Sequence, residues 1–304
     1  MVFIKINFKN QEICCGSLSK KGKILTFGDS NGILGILNLN ERFKNIKIFK
    51  THDLEITKIK LMNSKIFSCS YDAKLKIWDL QKQKLINIFR DHSGPINDLD
   101  IYEKLICTSS EDGDLRLWDL RIKNSITKIK HGFNLIGCKF LNNKNLMVTH
   151  GISNFLYLWD LRMNNVFYKK LKVLKNSKPF IVSICVSECS NFMFVLDSEC
   201  KIHRIKNQGE EKPPRNVSLI EKQNDNPNNL SFLLRLNLDE GCTSILNGDF
   251  GGKSYIRSIK SGKILCQFND HLKTVKEVIY NLSKKIFVSL GMDGSIVIRK
   301  FLKP

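Results

Sequence analysis

The chain has 304 residues, with 49 lysines and arginines against 29 acids and a formal net charge of +20. No apolar run approaches the roughly eighteen residues of a membrane span, and the lysine-broken start MVFIKINFKN is too short for a secretory leader, so a soluble intracellular protein is expected. The ten cysteines are scattered, with no C-x-x-C pair and most of them inside apolar strand-like runs, which predicts buried free thiols in a reducing compartment and no metal site.

The charge has a compositional side. Lysine outnumbers arginine about fourfold, asparagine and isoleucine are abundant, and Ala73 is the only alanine. A/T-rich codons produce that bias, so part of the charge reflects composition. The lysines are also dispersed, with no block of five or six. This argues against a groove that grips nucleic acid directly and favours RNA contact that is indirect, within a larger particle.

Taken in chain order, VFIKINF (residues 2–8) reads as an isolated strand. From residue 13 the chain falls into seven units, 13–53, 54–94, 95–132, 133–177, 178–229, 230–273 and 274–304. In the second unit KIFSCS is a strand, YDAK a turn, LKIWDL the next strand and KLINIF the last, and residues 95–132 repeat that order. Trp78, Trp118 and Trp159 each open WDL, at spacings of 40 and 41 residues. A second register starts at His52, His92, His131 and His271, after which apolar residues recur at plus four, plus seven and plus nine. A period in the low forties with short strands in each unit is the mark of a propeller of four-stranded blades. The seventh unit ends after SIVIRKF, one strand short. An unpaired sheet edge is a liability, so residues 2–8 are expected to complete that blade.

These motifs resemble the WD40-repeat β-propellers, and the resemblance covers essentially the whole chain. The fold class it implies is all-β: one seven-bladed WD40 β-propeller over 1–304, closed by the N-terminal strand pairing into the last blade. In that family a histidine, a strand serine or threonine, a turn aspartate and a tryptophan form a hydrogen-bonded set. The matching residues are His52, Ser70, Asp72 and Trp78 in blade two, and His92, Ser110, Asp112 and Trp118 in blade three. Elsewhere the set is eroded. Asn31 and Leu37 replace the aspartate and tryptophan of blade one, Ser153 the aspartate of blade four, and His203, Arg257 and Arg299 the tryptophans of blades five to seven.

Enzyme chemistry finds little support. The serine, histidine and aspartate constellation occurs twice at equivalent positions, each copy ending on a tryptophan, and no G-x-S-x-G elbow is present. GDFGGK (residues 248–253) lacks the spacing of a phosphate loop and reads as the turn of blade six. His131, His150 and His203 stand alone in sequence. No catalytic residue, no metal and no cofactor are expected.

Blades three to five carry the most specific likeness. SSEDGDLRLWDLR is followed by a blade start without a glycine-histidine pair, and a long excursion, Asn207–Asn229, holds three of the six prolines. This order resembles the WD-repeat proteins of the U5 small nuclear ribonucleoprotein. The resemblance implies a nuclear, non-catalytic scaffold in pre-mRNA splicing, monomeric within its complex. Its partners would be the large central splicing factor and other U5 proteins, with RNA met indirectly and no membrane or small-molecule substrate. Glu210, Glu211 and Arg215 make the excursion a candidate partner-binding loop, and a plain solvated loop is the other reading. Arg121 and Arg162 end equivalent WDLR strands. They match the W-D-x-R box of WD-repeat substrate receptors of the cullin-4 ubiquitin ligase. An arginine there also serves as a solvated cap or pairs with Asp119 or Asp160, and both readings stand. A ribosome-assembly propeller is a further alternative that the basic composition suits.

Overall fold

The computed structural model describes residues 2–8, 11–40, 46–122, 124–141, 145–162, 167–174, 179–187, 192–206, 215–222, 234–239 and 241–301. Among them, 28 strands form seven four-stranded antiparallel sheets. Strand β1 (Val2–Asn7) opens the chain. Blade one is β2 (Ile13–Leu18), β3 (Ile24–Asp29), β4 (Ile33–Asn38) and β5 (Ile46–Lys50). Blade two is β6 (Ile56–Met62), β7 (Lys65–Ser70), β8 (Leu75–Asp79) and β9 (Leu85–Phe89). Blade three is β10 (Ile96–Tyr102), β11 (Leu105–Ser110), β12 (Asp114–Asp119) and β13 (Ser125–Lys130). Blade four is β14 (Leu135–Phe140), β15 (Leu146–Gly151), β16 (Phe155–Asp160) and β17 (Phe167–Lys172). Blade five is β18 (Ile181–Val186), β19 (Phe192–Asp197), β20 (Lys201–Lys206) and β21 (Arg215–Lys222). Blade six is β22 (Asn237–Leu238), β23 (Ser244–Gly248), β24 (Lys253–Ser258) and β25 (Ile264–Asn269). Blade seven is β26 (Val275–Asn281), β27 (Ile286–Gly291) and β28 (Ser295–Lys300), with β1 as its outer strand.

The first strands of successive blades neighbour one another in order, and β26 returns to β2, so the sheets close a ring around a central channel. Closure rests on β1, which pairs with β28 from Val2 opposite Lys300 to Asn7 opposite Ser295. The Phe8 amide then donates to the Gly294 carbonyl at 2.8 Å. Arg299, in place of a tryptophan, ion-pairs with Asp270 and lies over the rings of Phe3 and Phe268 at 4.7 and 4.4 Å.

Apolar burial lies between blades. Phe67, Ile77 and Phe89 of blade two pack with Leu99, Ile106 and Trp118 of blade three, and Phe89 meets Trp118 with ring centroids 4.9 Å apart. Across the closure, Leu25, Phe27 and Leu37 pack on Val288, Leu290 and Ile298. Each blade thus relies on its neighbours, as stacked repeats do.

The apolar rhythm of plus four, plus seven and plus nine has a structural cause. A strand alternates faces every residue, so a gap of three demands an extra residue. Blade two supplies it as a β-bulge: Ile56 faces Ser70, but Lys58 faces Cys69, leaving Thr57 outside the ladder. The same bulge recurs at Ile13/Cys15, Ile96/Asp98, Leu135/Gly137, Ile181/Ser183 and Val275/Glu277.

Blades one, five and six cap their inner turns differently from blades two and three. Asp29, Asp197 and Asp249 stand where blades two and three have Ser70 and Ser110, and each accepts turn amides with Oδ1. The second oxygen takes His203 Nε2 in blade five (2.8 Å) and the Tyr255 hydroxyl in blade six (2.8 Å). In blade one the equivalent residue is Gly35, against the Phe27 ring, and Asp29 Oδ2 is left without a hydrogen-bond partner. His203 is therefore not at the tryptophan position. The pair equivalent to Ile106–Trp118 is Met193–Ile205, so Ile205 holds that place. A shift of two residues preserves the face, which is why alternation alone missed it. In the turn of blade six Gly252 has φ +85°, a left-handed geometry that Ala73 adopts in blade two at +61°.

Candidate functional site

The bulge residues define the site. Cys14, Thr57, Asn97, Ile136, Val182 and Lys276 project into the mouth of the central channel, joined by Leu234 ahead of β22. With Glu55, Tyr71, Glu111, Asn134, Ile152 and Arg235 they line a cavity of about 330 Å3. The lining is two-sided. Blades four to six contribute Ile136, Ile152, Val182 and Leu234 together with Asn134 and Arg235, whereas blades two and three contribute Glu55, Thr57, Tyr71, Asn97 and Glu111. Lys276 pairs with Glu55 at 2.8 Å. Burial drives the Cys14 thiol far above its ordinary range, which favours the protonated thiol.

Below the mouth the channel is crossed by charge. Arg235 spans it, donating from Nη2 to the Thr57 carbonyl (3.1 Å) and the Asn97 carbonyl (2.9 Å), while Nη1 meets Asp98 at 3.3 Å. Lys139 reaches Asp98 at 2.5 Å, and Lys58 pairs with Glu277. Glu277 also accepts from the Gly16 amide (2.9 Å) and from Asn237 (3.2 Å). Burial raises the affinity of Asp98 for a proton, but Lys139, Arg235 and Lys58 outweigh it and hold the carboxyl well below its usual range. Glu277 is held down likewise, with Lys58 and Arg235 overcoming burial. Such a network ties blades two, three, four, six and seven together through fixed charges. At blade four the ring has Gly137, and the buried His150 imidazole fills the space, 2.3 Å from where a Cβ would sit.

The hydrogen-bonded sets are structural. In blade two Trp78 Nε1 donates to Ser68 Oγ (3.3 Å), Ser68 meets His52 Nε2 (2.8 Å), and His52 Nδ1 meets Asp72 (3.0 Å). Blade three repeats this with Trp118, Thr108, His92 and Asp112. An indole only donates, so the hydroxyl accepts from it and donates onward to Nε2, leaving Nδ1–H for the carboxylate. The hydroxyl is thus Ser68, not the expected Ser70, and Thr108, not Ser110. Trp78 lies opposite Ile66, and its diagonal neighbour is Ser68, whereas Ser70 is two residues farther along. Ser70 and Ser110 instead donate to the Leu54 and Gly94 carbonyls and accept the amides of Asp72 and Asp112. His52 and His92 have no side-chain exposure, so these sets face no substrate.

Two of the histidines that stand alone in sequence have partners. His131 meets Thr149 (2.9 Å), which also accepts from Trp159 (2.9 Å), a set without the aspartate. His203 takes Asp197. Blade seven keeps His271, Ser289 and Asp293.

Residues 43–79 and 83–119 match the family model for the WD domain, G-beta repeat. Each match starts ahead of an outer strand, β5 or β9, and ends with the third strand of the next blade, at Asp79 or Asp119. The molecule is a seven-bladed propeller containing WD40 repeats. No individual curated protein matches the chain. The two matched repeats are thus offset from the blades by one strand, and the last blade takes its outer strand, β1, from the start of the chain.

Around this propeller, Arg121 and Arg162 are exposed at 70% and 50%, yet each clamps its own aspartate through Nε and Nη2, Asp119 and Asp160 respectively. Arg215 begins β21. Glu210 and Glu211 lie outside the described residues. Arg121 and Arg162 are not among the residues that line the mouth. The sequence signal for the mouth was the three-residue gap itself, since the residue inside each gap is the bulge.

Proposed function

We propose that the protein is a non-catalytic protein-interaction scaffold that serves in the U5 small nuclear ribonucleoprotein during pre-mRNA splicing. The mouth carries the scaffold reading. One side is mainly aliphatic, with Asn134 and Arg235 beside Ile136, Ile152, Val182 and Leu234, and the other bears Tyr71 and Glu111 next to the Glu55–Lys276 pair, which suits a protein segment with a basic side chain for Glu111 beside an apolar one. The lining sits on strand ends fixed by the ring, so little ordering entropy opposes binding. The splicing reading is supported by the order of motifs from SSEDGDLRLWDLR to the proline-bearing excursion at residues 207–229. Its partners would be the large central splicing factor and its U5 neighbours, in the nucleus.

Affinity purification from cells, with mass spectrometry and RNA sequencing, tests both levels. U5 RNA and splicing proteins are expected, and Tyr71→Ala with Glu111→Lys should release at least one protein without lowering Tm. Abundant ribosomal RNA precursors and no U5 RNA would overturn the splicing reading alone.

A second reading has one observation behind it: Arg121 and Arg162 are exposed at equivalent positions of adjacent blades. As a cullin-4 substrate receptor, the protein would co-purify with the ligase adaptor and lose it on double substitution to alanine.

A further inference from the structure

Among the described residues, thirteen large hydrophobic side chains are exposed, and eight lie on outermost strands or on a turn leading into one. Four of the eight, Leu85, Ile86, Ile122 and Ile126, belong to blades two and three. Backbone geometry puts two of them there. Trp78 pairs with Leu85 while Ile77 pairs with Asn87, so Ile86 is the extra residue of a bulge. In β13 Trp118 pairs with Ser125 and Leu117 with Thr127, so Ile126 is the equivalent residue. Both are 48% exposed. A bulge blunts an edge against strand addition, yet here each one carries an aliphatic side chain that solvent reaches.

The charge around them has one sign. Residues 80–90 and 120–130 hold seven lysines and arginines and no acid. Lys82, Lys84, Arg90 and Lys130 are exposed and have no ion-pair partner among the described residues. Nearby acids are already committed: Asp79 to the amides of Gln81 and Lys82, Asp114 to Lys128, and Asp119 to Arg121. Asp91 accepts the Ser125 amide at 3.0 Å, which pins the end of the β9 segment to the start of β13. The two edges therefore meet at this point.

From this we infer that the outer edges of blades two and three form a second interaction surface, separate from the channel mouth, for an acidic protein segment bearing aliphatic side chains. Charge complementarity selects the acidic partner, and exposed isoleucine and leucine select one with apolar groups to bury. Nucleic acid fits less well, because single strands are held by aromatic stacking and, among the described residues, the large hydrophobics exposed on these two edges are leucine and isoleucine. The inference goes beyond the scaffold reading of the mouth and does not depend on it.

Fluorescence anisotropy on the full-length protein tests it. The probe is a synthetic peptide of about twelve residues alternating glutamate with leucine, roughly 40 Å long when extended. Comparison probes are oligoglutamate of the same length, a single-stranded RNA and vesicles containing phosphatidylserine. The alternating peptide should bind at least about tenfold more tightly than oligoglutamate and lose about tenfold with Ile86→Ser plus Ile126→Ser, or with Lys82→Glu plus Lys84→Glu. All four side chains are exposed, so Tm should hold. Glu111→Lys at the mouth should leave the affinity unchanged. Tighter binding of RNA or vesicles overturns the inference. So does indifference to the isoleucine substitutions, or loss of the peptide with Glu111→Lys.

Discussion

Trp118 donates its indole N–H to Thr108 Oγ1 at 2.9 Å, and that oxygen lies 2.8 Å from His92 Nε2. Tryptophan and threonine are fully buried, so removing the hydroxyl leaves two polar groups without water. Thr108→Val should lower stability by about 1–3 kcal/mol. Trp118→Ala should lose about 3–5 kcal/mol, as large buried aromatics do. A double-mutant cycle in urea locates the hydroxyl: Thr108→Val should couple to Trp118→Phe by more than about 0.5 kcal/mol, and Ser110→Ala should add independently. Coupling through Ser110 alone would restore the expected assignment.

The ring was legible because tryptophans and histidines mark a period that a propeller requires, and because the seventh unit lacked a strand that VFIKINF could supply. What stayed hidden were slips of two residues. Ser68 and Ser70 share a face of β7, as do His203 and Ile205 on β20, and alternation cannot separate residues on one face. Only the ladder decides, through Ile66 opposite Trp78 and Met193 opposite Ile205. The mouth was hidden for another reason. Its residues are spread over all seven blades, so no contiguous motif announces them, and Arg235 reaches Thr57 and Asn97 across 178 and 138 residues of sequence.

Acid should weaken the fold before the channel carboxylates Asp98 and Glu277, both held below their usual range, titrate. Burial pushes His150 down to about 3 and His131 down to about 4, and burial also lowers His52 and His271 despite their aspartates. An unfolded histidine titrates near 6.5. Each of these therefore adds stability that is full above about pH 6.5 and is lost as pH falls toward the folded value. Urea midpoints should drop from pH 7 to pH 5, and His150→Gln should flatten the slope. A midpoint that holds constant over that range would refute the neutral, buried state of these rings.

The guanidinium of Arg235 joins blade six to blades two and three. Arg235→Met should cost about 3–5 kcal/mol, since Asp98 loses one of the cations that hold its charge and two carbonyls lose a donor. Arg235→Lys keeps the charge but cannot reproduce the fork that serves Asp98 and both carbonyls, so an intermediate loss is expected. Equal stability of the lysine variant and the native protein would show that charge alone matters there.

Ring closure depends on a strand that is first in the chain and last in the wheel. Deleting residues 1–9 strips β28 of its partner along Val2–Asn7, removes the Lys5 bond to the Asp270 carbonyl (2.6 Å) and uncovers Arg299. An open β edge invites pairing with other chains, so the truncated protein should melt lower and associate on heating. Phe3→Ser is the gentler probe: it leaves the ladder intact and removes one of the two rings beneath Arg299, for a loss of about 0.5–1 kcal/mol. Differential scanning calorimetry with light scattering separates the two effects. A truncation that melts with the intact protein and stays monomeric would mean that the wheel holds without its first strand, and that interblade packing of Leu25, Phe27 and Leu37 on Val288 and Leu290 suffices.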